Sequence, residues 1–387
     1  MKQGWEIKKL GEICKVIAGQ SPEGKYYNSE GNGLPFYQGK KEFCEKYLGV
    51  PSTWTTYITK EAEAGDILMS VRAPVGPVNF STQKICIGRG LAAIRVGKVI
   101  DNEFLFNYLL KHENEIEGNA GAVFNSISKK QIELIEIPLP PLPEQQRIVS
   151  ILDKVFATID KAKANAEQNL KNACEVFDSY LKGVFENGNW ETKKLNEITE
   201  VKDGTHDSPK YIKEGIPFLT QKNIKPDGLS FDDTKFITET DHEKFYKRSN
   251  VTYGDILISM IGANRGMAAI VDDKRVFSIK NVGLIKSSEN INMNYLLYYL
   301  KSSIAMKYVL YMSNGGAQEF VGLTALRSFP IPLPSIQEQQ TIVRQLDDLR
   351  AETQMLEAVY QKKIDDLEEL KKSVLQKAFT GELIEDV

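Results

Sequence analysis

Apolar side chains recur at alternating steps of four and three residues along two long stretches, one after residue 144 and one after residue 336. Such a pattern, kept over about five heptads, is typical of a helix that packs along one seam of a coiled coil. Prolines precede both stretches, and each helix is expected to begin after them. The predicted seam residues are Ile148, Leu152, Val155 and Ile159 in the first helix and Ile342, Leu346, Leu349, Leu356, Leu367 and Leu370 in the second.

The two predicted helices are long enough to separate two globular parts. A helix of about 40 residues measures roughly 60 Å at 1.5 Å per residue. The first helix leads out of one globular part and the second follows the other, so an antiparallel pair is expected. Small residues in the first seam, such as Ala166 and Ala173, would let a bulkier partner seam approach closely.

The helix starts belong to a repeat that covers nearly the whole chain. IPLPPLPEQQRIVSILD (137–153) and IPLPSIQEQQTIVRQLD (331–347) are identical at eleven of seventeen positions. WEIKKLGEI at Trp5 returns as WETKKLNEI at Trp190, and GLPF and GDILMS return as GIPF and GDILIS. The segments between these motifs match poorly. The repeat therefore predicts a pseudo-twofold molecule in which one scaffold carries two different sets of loops.

The parts outside the helices combine short β-rich runs with short helices, bounded by Gly, Pro, Asn and Asp. They lack the regular strand–helix alternation of a nucleotide-binding fold. We therefore predict an α+β protein: two mixed α/β domains joined by a long antiparallel two-helix coiled coil, with a pseudo-twofold internal repeat. The predicted boundaries are 1–143 for the first domain, 144–188 for the first helical region, 189–335 for the second domain and 336–387 for the second helical region.

Composition is that of a soluble globular protein, with 42% hydrophobic and 26% charged residues. No run approaches the roughly 18 apolar residues of a membrane span. The start, MKQGWEIKKL, has no apolar core, so no signal peptide and a cytoplasmic location are expected. No C-x-x-C pair occurs, and reduced thiols are expected at Cys14, Cys44, Cys86 and Cys174.

Charge is distributed unevenly along the chain. The formal net charge is −3 overall, but residues 336–387 carry −5 and residues 144–188 carry −1. The two globular parts together therefore carry +3. This small difference in net charge has the sign expected if the globular parts contact the phosphates of a nucleic acid and the helices do not.

Motifs for catalysis are absent from the sequence. It contains no G-x-x-x-x-G-K-[ST] phosphate loop, no G-x-G-x-x-G after a strand and no G-x-S-x-G nucleophile elbow. The asparagine–proline–proline–aromatic motif of adenine methyltransferases is also missing. The three histidines, His112, His206 and His242, do not have metal-ligand spacing. A non-catalytic protein without a metal site is therefore predicted.

Basic and amide side chains follow the repeated strand motifs in both halves. Arg commonly contacts guanine, Asn and Gln contact adenine, and Lys more often contacts phosphate. Each such residue taken alone is interpreted as a solvated surface residue. Their recurrence at equivalent places in both halves favours a surface that binds nucleic acid. The candidate DNA-binding residues are Gln38, Lys40, Lys41, Arg72 and Arg89 in the first half and Thr220, Gln221, Lys222, Asn223, Asn264, Arg265 and Lys280 in the second.

The doubled IPLP-x-x-x-EQQ-x-IV, the doubled W-E-x-K-K-L-x-E-I, GIPFLTQKNI and GDILISMIGANRG carry a resemblance over essentially the full chain. The chain resembles the DNA-specificity subunit of type I restriction-modification systems. The resemblance implies that each globular part is a target recognition domain reading one half of a split site in double-stranded DNA. It implies that the helices set the spacing between the half-sites and dock the methyltransferase subunits.

Partners and cofactors also follow from the resemblance. Two methyltransferase (modification) subunits and restriction (motor and nuclease) subunits are expected, with no membrane. S-adenosylmethionine, ATP and Mg are expected on those partners, and no cofactor on this chain. The first half has YQGKK where the second has the more family-like LTQKN. The alternative function is a coiled-coil scaffold that joins two protein-interaction domains. DNA retention at moderate salt would separate the two hypotheses.

Overall fold

A computed structural model describes residues 5–113, 126–313, 320–380 and 382. The chain divides into two compact units, Met1–Ala166 with Lys362–Val387, and Glu167–Gln361. Each unit therefore holds one globular domain together with part of each long helix. Within the described ranges, no helix is long and apolar enough to cross a membrane. The predicted regions 1–143, 189–335 and 336–387 each include residues outside these ranges.

The first unit is built on three β-sheets, one of them a two-stranded pair, and on helices. Its strands are β1 (Glu6–Lys9), β2 (Cys14–Ala18), β3 (Tyr27–Asn28), β4 (Leu34–Tyr37), β5 (Trp54–Thr55), β6 (Glu61–Ala62), β7 (Ile67–Ser70), β8 (Val78–Phe80), β9 (Ile85–Ile87), β10 (Leu91–Val96) and β11 (Glu136–Leu139). Its helices are α1 (Leu10–Ile13), α2 (Asn102–Lys111) and α3 (Lys129–Glu133), followed by the long α4 (Leu142–Asn187). One sheet has the order β2-β10-β7-β8 and another β3-β5-β4-β9-β6, while β1 pairs with β11.

The second unit repeats this plan. Its strands are β12 (Thr192–Lys194), β13 (Val201–Asp203), β14 (Ile216–Leu219), β15 (Ile224–Lys225), β16 (Gly228–Leu229), β17 (Lys235–Ile237), β18 (Ile256–Ser259), β19 (Ala268–Ile270), β20 (Ser278–Ile279), β21 (Val282–Ile285) and β22 (Pro330–Pro332). Its helices are α5 (Leu195–Ile198), α6 (Glu239–Ser249), α7 (Met293–Lys301), α8 (Ser303–Met312) and α9 (Leu323–Arg327), followed by the long α10 (Ile336–Thr380). The sheets are β13-β21-β18-β19, β17-β14-β20, β12-β22 and β15-β16.

Strand registers confirm the internal repeat at the level of single residues. Phe36 lies opposite Cys86 in the parallel β4–β9 pair, and Phe218 lies opposite Ser278 in the parallel β14–β20 pair. The repeated G-D-I-L motif becomes β7 and β18, which are buried along their whole length. Successive side chains of a strand point to opposite faces, so such a strand contributes to two apolar layers.

The core of each unit reflects this alternation. Ile67 and Met69 join a cluster with α2, whereas Leu68 packs with Ile85 and Ile87 of the second sheet. In the second unit, the corresponding β18 residues divide in the same way between two clusters. The long helices also contribute to the apolar clusters that contain the short helices. The rings of Phe104 in α2 and Phe379 in α10 meet edge to face with centroids 5.2 Å apart. Each fully buried side chain of this size contributes about 1.5–3 kcal/mol.

A buried glutamine in each E-Q-Q motif fastens a long helix to its own globular domain. Gln145 accepts a hydrogen bond from the backbone N–H of Asp101, at the start of α2, over 2.7 Å. Its amide donates to the carbonyl oxygens of Val99 and Pro140, over 3.1 and 2.7 Å. In the second unit, Gln339 accepts from Asn292 N–H over 2.7 Å and donates to a proline carbonyl over 2.8 Å. The duplicated motif thus forms equivalent hydrogen bonds between the long helix and the globular domain in both units.

Replacing Gln145 by Leu is expected to lower the free energy of unfolding by at least about 2 kcal/mol. The substitution removes the partner of the Asp101 N–H and of the Val99 and Pro140 carbonyl oxygens, and a buried group left unsatisfied costs about 1–3 kcal/mol. The neighbouring Gln146 is exposed, so Gln146→Leu is the matched control. Denaturant unfolding of both variants measures the difference. Equal stability of the two variants would contradict the role assigned to Gln145.

The long helices pair antiparallel within each unit, as predicted. In the first unit, Lys163 Nζ lies 2.7 Å from Glu368 Oε1, and Lys371 Nζ lies 2.9 Å from Asp160 Oδ1. In the second unit, the Arg350 guanidinium lies 5.0 Å from the centre of the Phe177 ring. Residue numbers rise on α4 as they fall on α10, which defines the antiparallel direction.

The predicted seam residues are buried to different degrees along the two helices. Ile148, Leu152, Ile159, Ile342 and Leu346 are buried, while Val155, Leu349 and Leu367 are half-buried. By contrast, Leu356 and Leu370 are 46% and 47% exposed.

The exposure of the predicted seam residues Leu356 and Leu370 has a geometric cause. Beyond Leu346, the buried α10 residues are Thr353, Ile364, Leu375, Ala378 and Phe379, and the first three are spaced by eleven residues along the chain. An eleven-residue spacing corresponds to about 3.67 residues per turn, close to that of a straight helix. The seven-residue register assumed from the sequence therefore drifts off the contact face.

Candidate nucleic-acid interface

Three chain segments meet at one edge of the sheets in the first unit. They are residues 19–22 after β2, 37–41 from the last residue of β4 onward and 88–90 after β9, and together we call them loop surface 1. Backbone hydrogen bonds join the segments: Gly90 N–H donates to Gln38 O over 3.0 Å, and Gln20 N–H donates to Ile87 O over 2.9 Å. The Ser21 hydroxyl donates to Gln38 Oε1 over 2.8 Å and accepts from Arg89 N–H over 3.1 Å. The segments therefore hold one another in place.

The second unit has an equivalent surface built from different side chains. Loop surface 2 comprises residues 204–208 after β13, 219–223 after β14 and 280–281 after β20. Lys280 N–H donates to Leu219 O over 2.9 Å, and Asn281 N–H donates to Thr205 O over 3.1 Å. Gly19 and Gly204 occupy matching places, where a Cβ atom would collide with a backbone carbonyl of the neighbouring segment. Glycine at both positions permits this close approach.

Gln38 and Arg89 lie on loop surface 1, as the sequence suggested. They line a cleft of about 470 Å³ whose wall includes Tyr27 and Phe36. Arg89 also lines a second cleft, of about 230 Å³, together with Arg72. No hydrogen bond or ion pair of the Arg89 guanidinium occurs within the residues the structure describes. Lys40 and Lys41 are exposed on the short 3₁₀ turn that follows Gln38.

An aromatic cleft of the same construction opens beside loop surface 2. Its volume is about 650 Å³, and Tyr211 and Phe218 line it together with Thr220, Lys222 and Lys235. The Tyr211 and Phe218 rings are 6.3 Å apart, and the corresponding Tyr27 and Phe36 rings are stacked at 4.8 Å. In the first unit, desolvation raises the pKa of the Tyr27 phenol.

The segment from Thr220 to Asn223 forms a capped 3₁₀ turn. Lys222 is exposed on it. The side-chain Oε1 of Gln221 is buried and makes no hydrogen bond within the described residues. Asn223, predicted as a DNA contact, is instead 6% exposed, and its amide donates to Ser230 O and Thr234 Oγ1 over 3.0 and 3.2 Å. The Asn223 side chain therefore holds the turn together.

Asn264 and Arg265 lie in the hairpin between β18 and β19, outside loop surface 2. Asn264 is exposed. The Arg265 guanidinium donates to Ser313 Oγ over 3.0 Å and to Gly262 O over 3.1 Å. These contacts tie Arg265 to the end of α8. The structure thus brings Thr220, Lys222 and Lys280 together and gives Arg265 a local partner.

Sequence reasoning missed a polar network behind loop surface 2. His206 Nε2 lies 3.1 Å from Asp203 Oδ2, and Nδ1 lies 2.7 Å from Asn281 Oδ1. Arg248, on α6, donates to both oxygens of the same Asp203 carboxylate over 2.8 Å. Nearby, the hydrogen bond from Lys244 lowers the pKa of Asp207 and raises that of Lys244. The first half has no helix between its β5 and β7, so the repeat gave no signal for α6.

Across the described ranges, no group of three His, Cys, Asp or Glu side chains could hold a metal ion. Cys14, Cys44, Cys86 and Cys174 are free thiols.

Comparisons with known proteins agree with this architecture. The family described as type I restriction modification DNA specificity domain matches residues 2–172 and again residues 187–366. The chain belongs to this family, with one copy of its domain in each half.

Several curated relatives are type I specificity subunits. A putative type I restriction enzyme MjaX specificity subunit from Methanocaldococcus jannaschii is 44% identical over 185 residues, covering 47% of this chain and 43% of that relative. This chain thus spans less than half the length of that relative. The MjaVIII specificity subunit from the same organism is 24% identical, covering 98% of this chain and 93% of the relative. The EcoBI specificity subunit of Escherichia coli is 25% identical, covering 98% and 86%.

Solved structures share the fold along the whole chain. A structure from work on complex assembly and conformational transition of the type I R-M system superposes with a TM-score of 0.79 at 19% identity, covering 99% of both chains. The HsdS subunit from Thermoanaerobacter tengcongensis superposes with a TM-score of 0.61 at 19% identity, covering 99% of this chain and 98% of that one. Two mixed α/β domains joined by a long helix pair are therefore the shared architecture.

Proposed function

We propose that the chain recognises a split DNA site as the non-catalytic specificity subunit of a type I restriction-modification complex. Each unit contacts one half-site through its loop surface. Two methyltransferase subunits, carrying S-adenosylmethionine, methylate adenines at the site. Restriction subunits with ATP and Mg carry out cleavage. The complex acts in the cytoplasm.

The observation that carries the proposal is the pair of equivalent loop surfaces with different side chains. The same three strand ends support both surfaces, through matching backbone hydrogen bonds. Yet the positions of Ser21, Gln38 and Arg89 on the first surface are occupied on the second by His206, Thr220 and Asn281. Two similar scaffolds with different polar groups suit two different half-sites, because base edges are distinguished by their donors and acceptors.

Binding of DNA at increasing salt concentration tests the proposal. Phosphate contacts release counterions, so the logarithm of the association constant should fall linearly with the logarithm of salt concentration. The full chain, co-purified with its methyltransferase subunits, should show this slope on random and on cognate duplexes. Lys222→Ala should weaken binding to both duplexes alike and reduce the slope by about one.

Lys171→Ala on the surface of α4 is the matched control, because among the residues that the structure describes Lys171 pairs only with Glu175, one helical turn away. This variant should keep the wild-type slope. A flat salt response of the wild-type complex, with no retention of duplex DNA at moderate salt, would overturn the proposed function and favour a protein scaffold.

A further inference from the structure

The turn that follows β9 in the first unit and β20 in the second occupies the same place in both folds. Gly88 N–H donates to Tyr37 O over 2.8 Å, and Lys280 N–H donates to Leu219 O over 2.9 Å. The next residues along the chain are Arg89 and Asn281. Arg89 and Asn281 are therefore presented at corresponding points of the two loop surfaces.

A fixed backbone presents the Asn281 side chain. Its φ of 52° lies in the left-handed region, which Asn adopts more readily than most residues other than Gly. Asn281 N–H donates to Thr205 O over 3.1 Å. The position of the Cβ atom is thus set by backbone geometry before any ligand arrives.

A chain of hydrogen bonds then orients the Asn281 amide. Arg248 contacts both oxygens of the buried Asp203 carboxylate, and Asp203 contacts His206. The other ring nitrogen of His206 reaches Asn281 Oδ1 at 2.7 Å. The His206 side chain itself is 64% exposed. Burial alone therefore does not hold the ring, and its two polar contacts link the Asn281 side-chain amide to the Asp203 carboxylate.

We propose that Asn281 and Arg89 are the corresponding specificity-determining residues of the two half-sites, and that His206 is a positioning residue for Asn281. Asn pairs with the N6 and N7 edge of adenine, and Arg with the O6 and N7 edge of guanine. An amide oxygen has two lone pairs and an amide NH₂ group has two hydrogens, so the Asn281 amide keeps its hydrogen bond to His206 while it accepts from adenine N6 and donates to adenine N7. The inference rests on the proposed function and names the base contact within it.

Asn281→Gly tests the base contact without backbone strain, because Gly also adopts positive φ. Asn250→Gly is the matched control: Asn250 has a φ of 48° at the end of α6, in the same unit. Each full-length variant is co-produced with its methyltransferase subunits and incubated with a library of duplexes in which every base pair of the wild-type site is randomised singly. Sequencing of methylated duplexes gives the preference at each position.

Asn281→Gly should lower the preference for one A·T pair of the second half-site about 5- to 150-fold. It should leave the first half-site unchanged, and Asn250→Gly should keep the wild-type profile. Arg89→Ala should relax one G·C pair of the first half-site. A uniform loss of methylation at all sequences, or an unchanged profile for Asn281→Gly, would overturn the inference.

The proposed role of His206 in positioning Asn281 is tested by the base preference of His206 variants. His206→Ala should relax the same A·T pair as Asn281→Gly, and combining the two substitutions should add nothing further. His206→Gln, which retains hydrogen-bonding groups on a side chain of similar reach, should restore part of the preference. Independent effects of the two substitutions, at different base pairs or additive at one, would contradict positioning. If the wild-type complex shows no preferred sequence at all, the proposed function fails; a preferred wild-type sequence that survives Asn281→Gly rejects only this inference.

Discussion

Replacing residues 1–143 by the first domain of another specificity subunit is expected to change one half of the methylated sequence completely and leave the other half as it was. The structure supports this expectation because loop surface 1 is built entirely from residues of the first unit. Its clefts are likewise lined by residues of that unit alone. If each loop surface contacts its own DNA segment, exchanging the first domain changes the sequence of one half-site only.

The incoming domain must form the same contacts with the long helices as the domain that it replaces. Phe104 and Leu109 of α2 belong to the same apolar cluster as Ile148 and Leu152 of α4. Gln145 additionally needs the N–H group at the start of α2. Donor domains that carry apolar residues at the α2 positions should therefore be chosen, since mismatched cores cost about 1–3 kcal/mol or more.

Mapping of methylated adenines in cells that carry the hybrid measures the outcome. The reciprocal hybrid, in which residues 189–335 are exchanged, serves as the matched control and should alter only the other half-site. Changes in both halves after a single exchange would show that the two domains do not recognise DNA independently.

Removing one heptad from each long helix is expected to shorten the non-specific spacer by about three base pairs. Seven residues of helix span about 10.5 Å at 1.5 Å per residue, and B-DNA rises about 3.4 Å per base pair. The helix contacts identify matched segments: Asp160 and Lys163 pair with Lys371 and Glu368. Deleting Asp160–Ala166 together with Asp365–Lys371 therefore removes both partners of each ion pair.

The half-sites should remain unchanged in this variant, because neither loop surface contains a deleted residue. Deletion of Asp160–Ala166 alone is the control, and it should disrupt the seam and abolish assembly. Methylome sequencing again provides the readout. An active complex that still methylates the original spacing would limit the helices to subunit docking.

The repeat and the helix starts could be predicted because they rest on local patterns. Pro140 and Pro141 separate β11 from α4, Pro334 separates β22 from α10, and the E-Q-Q motif lies in the first turn of each helix. The antiparallel pairing followed from chain order alone. Leu356 and Leu370 were placed wrongly because apolar spacing does not reveal how the contact face drifts along a straight helix.

The candidate site was predictable only in part. Gln38, Arg89 and Lys280 follow strands, and strand ends at one sheet edge necessarily lie near each other. The side chain of Asn223 turns inward because its amide caps a turn, which a single sequence does not distinguish from an exposed Asn. His206 and Asn281 are 75 residues apart in sequence, so their hydrogen bond depends on tertiary structure.

Mapping the methylated adenines of cells that express this chain with its methyltransferase subunits tests the central claim most directly. The account predicts one split sequence, with two different specific half-sites separated by a spacer of fixed length and arbitrary sequence. Loss of that methylation when the gene for this chain is removed should accompany it. A single uninterrupted recognition sequence, or methylation that persists without the chain, would contradict the account.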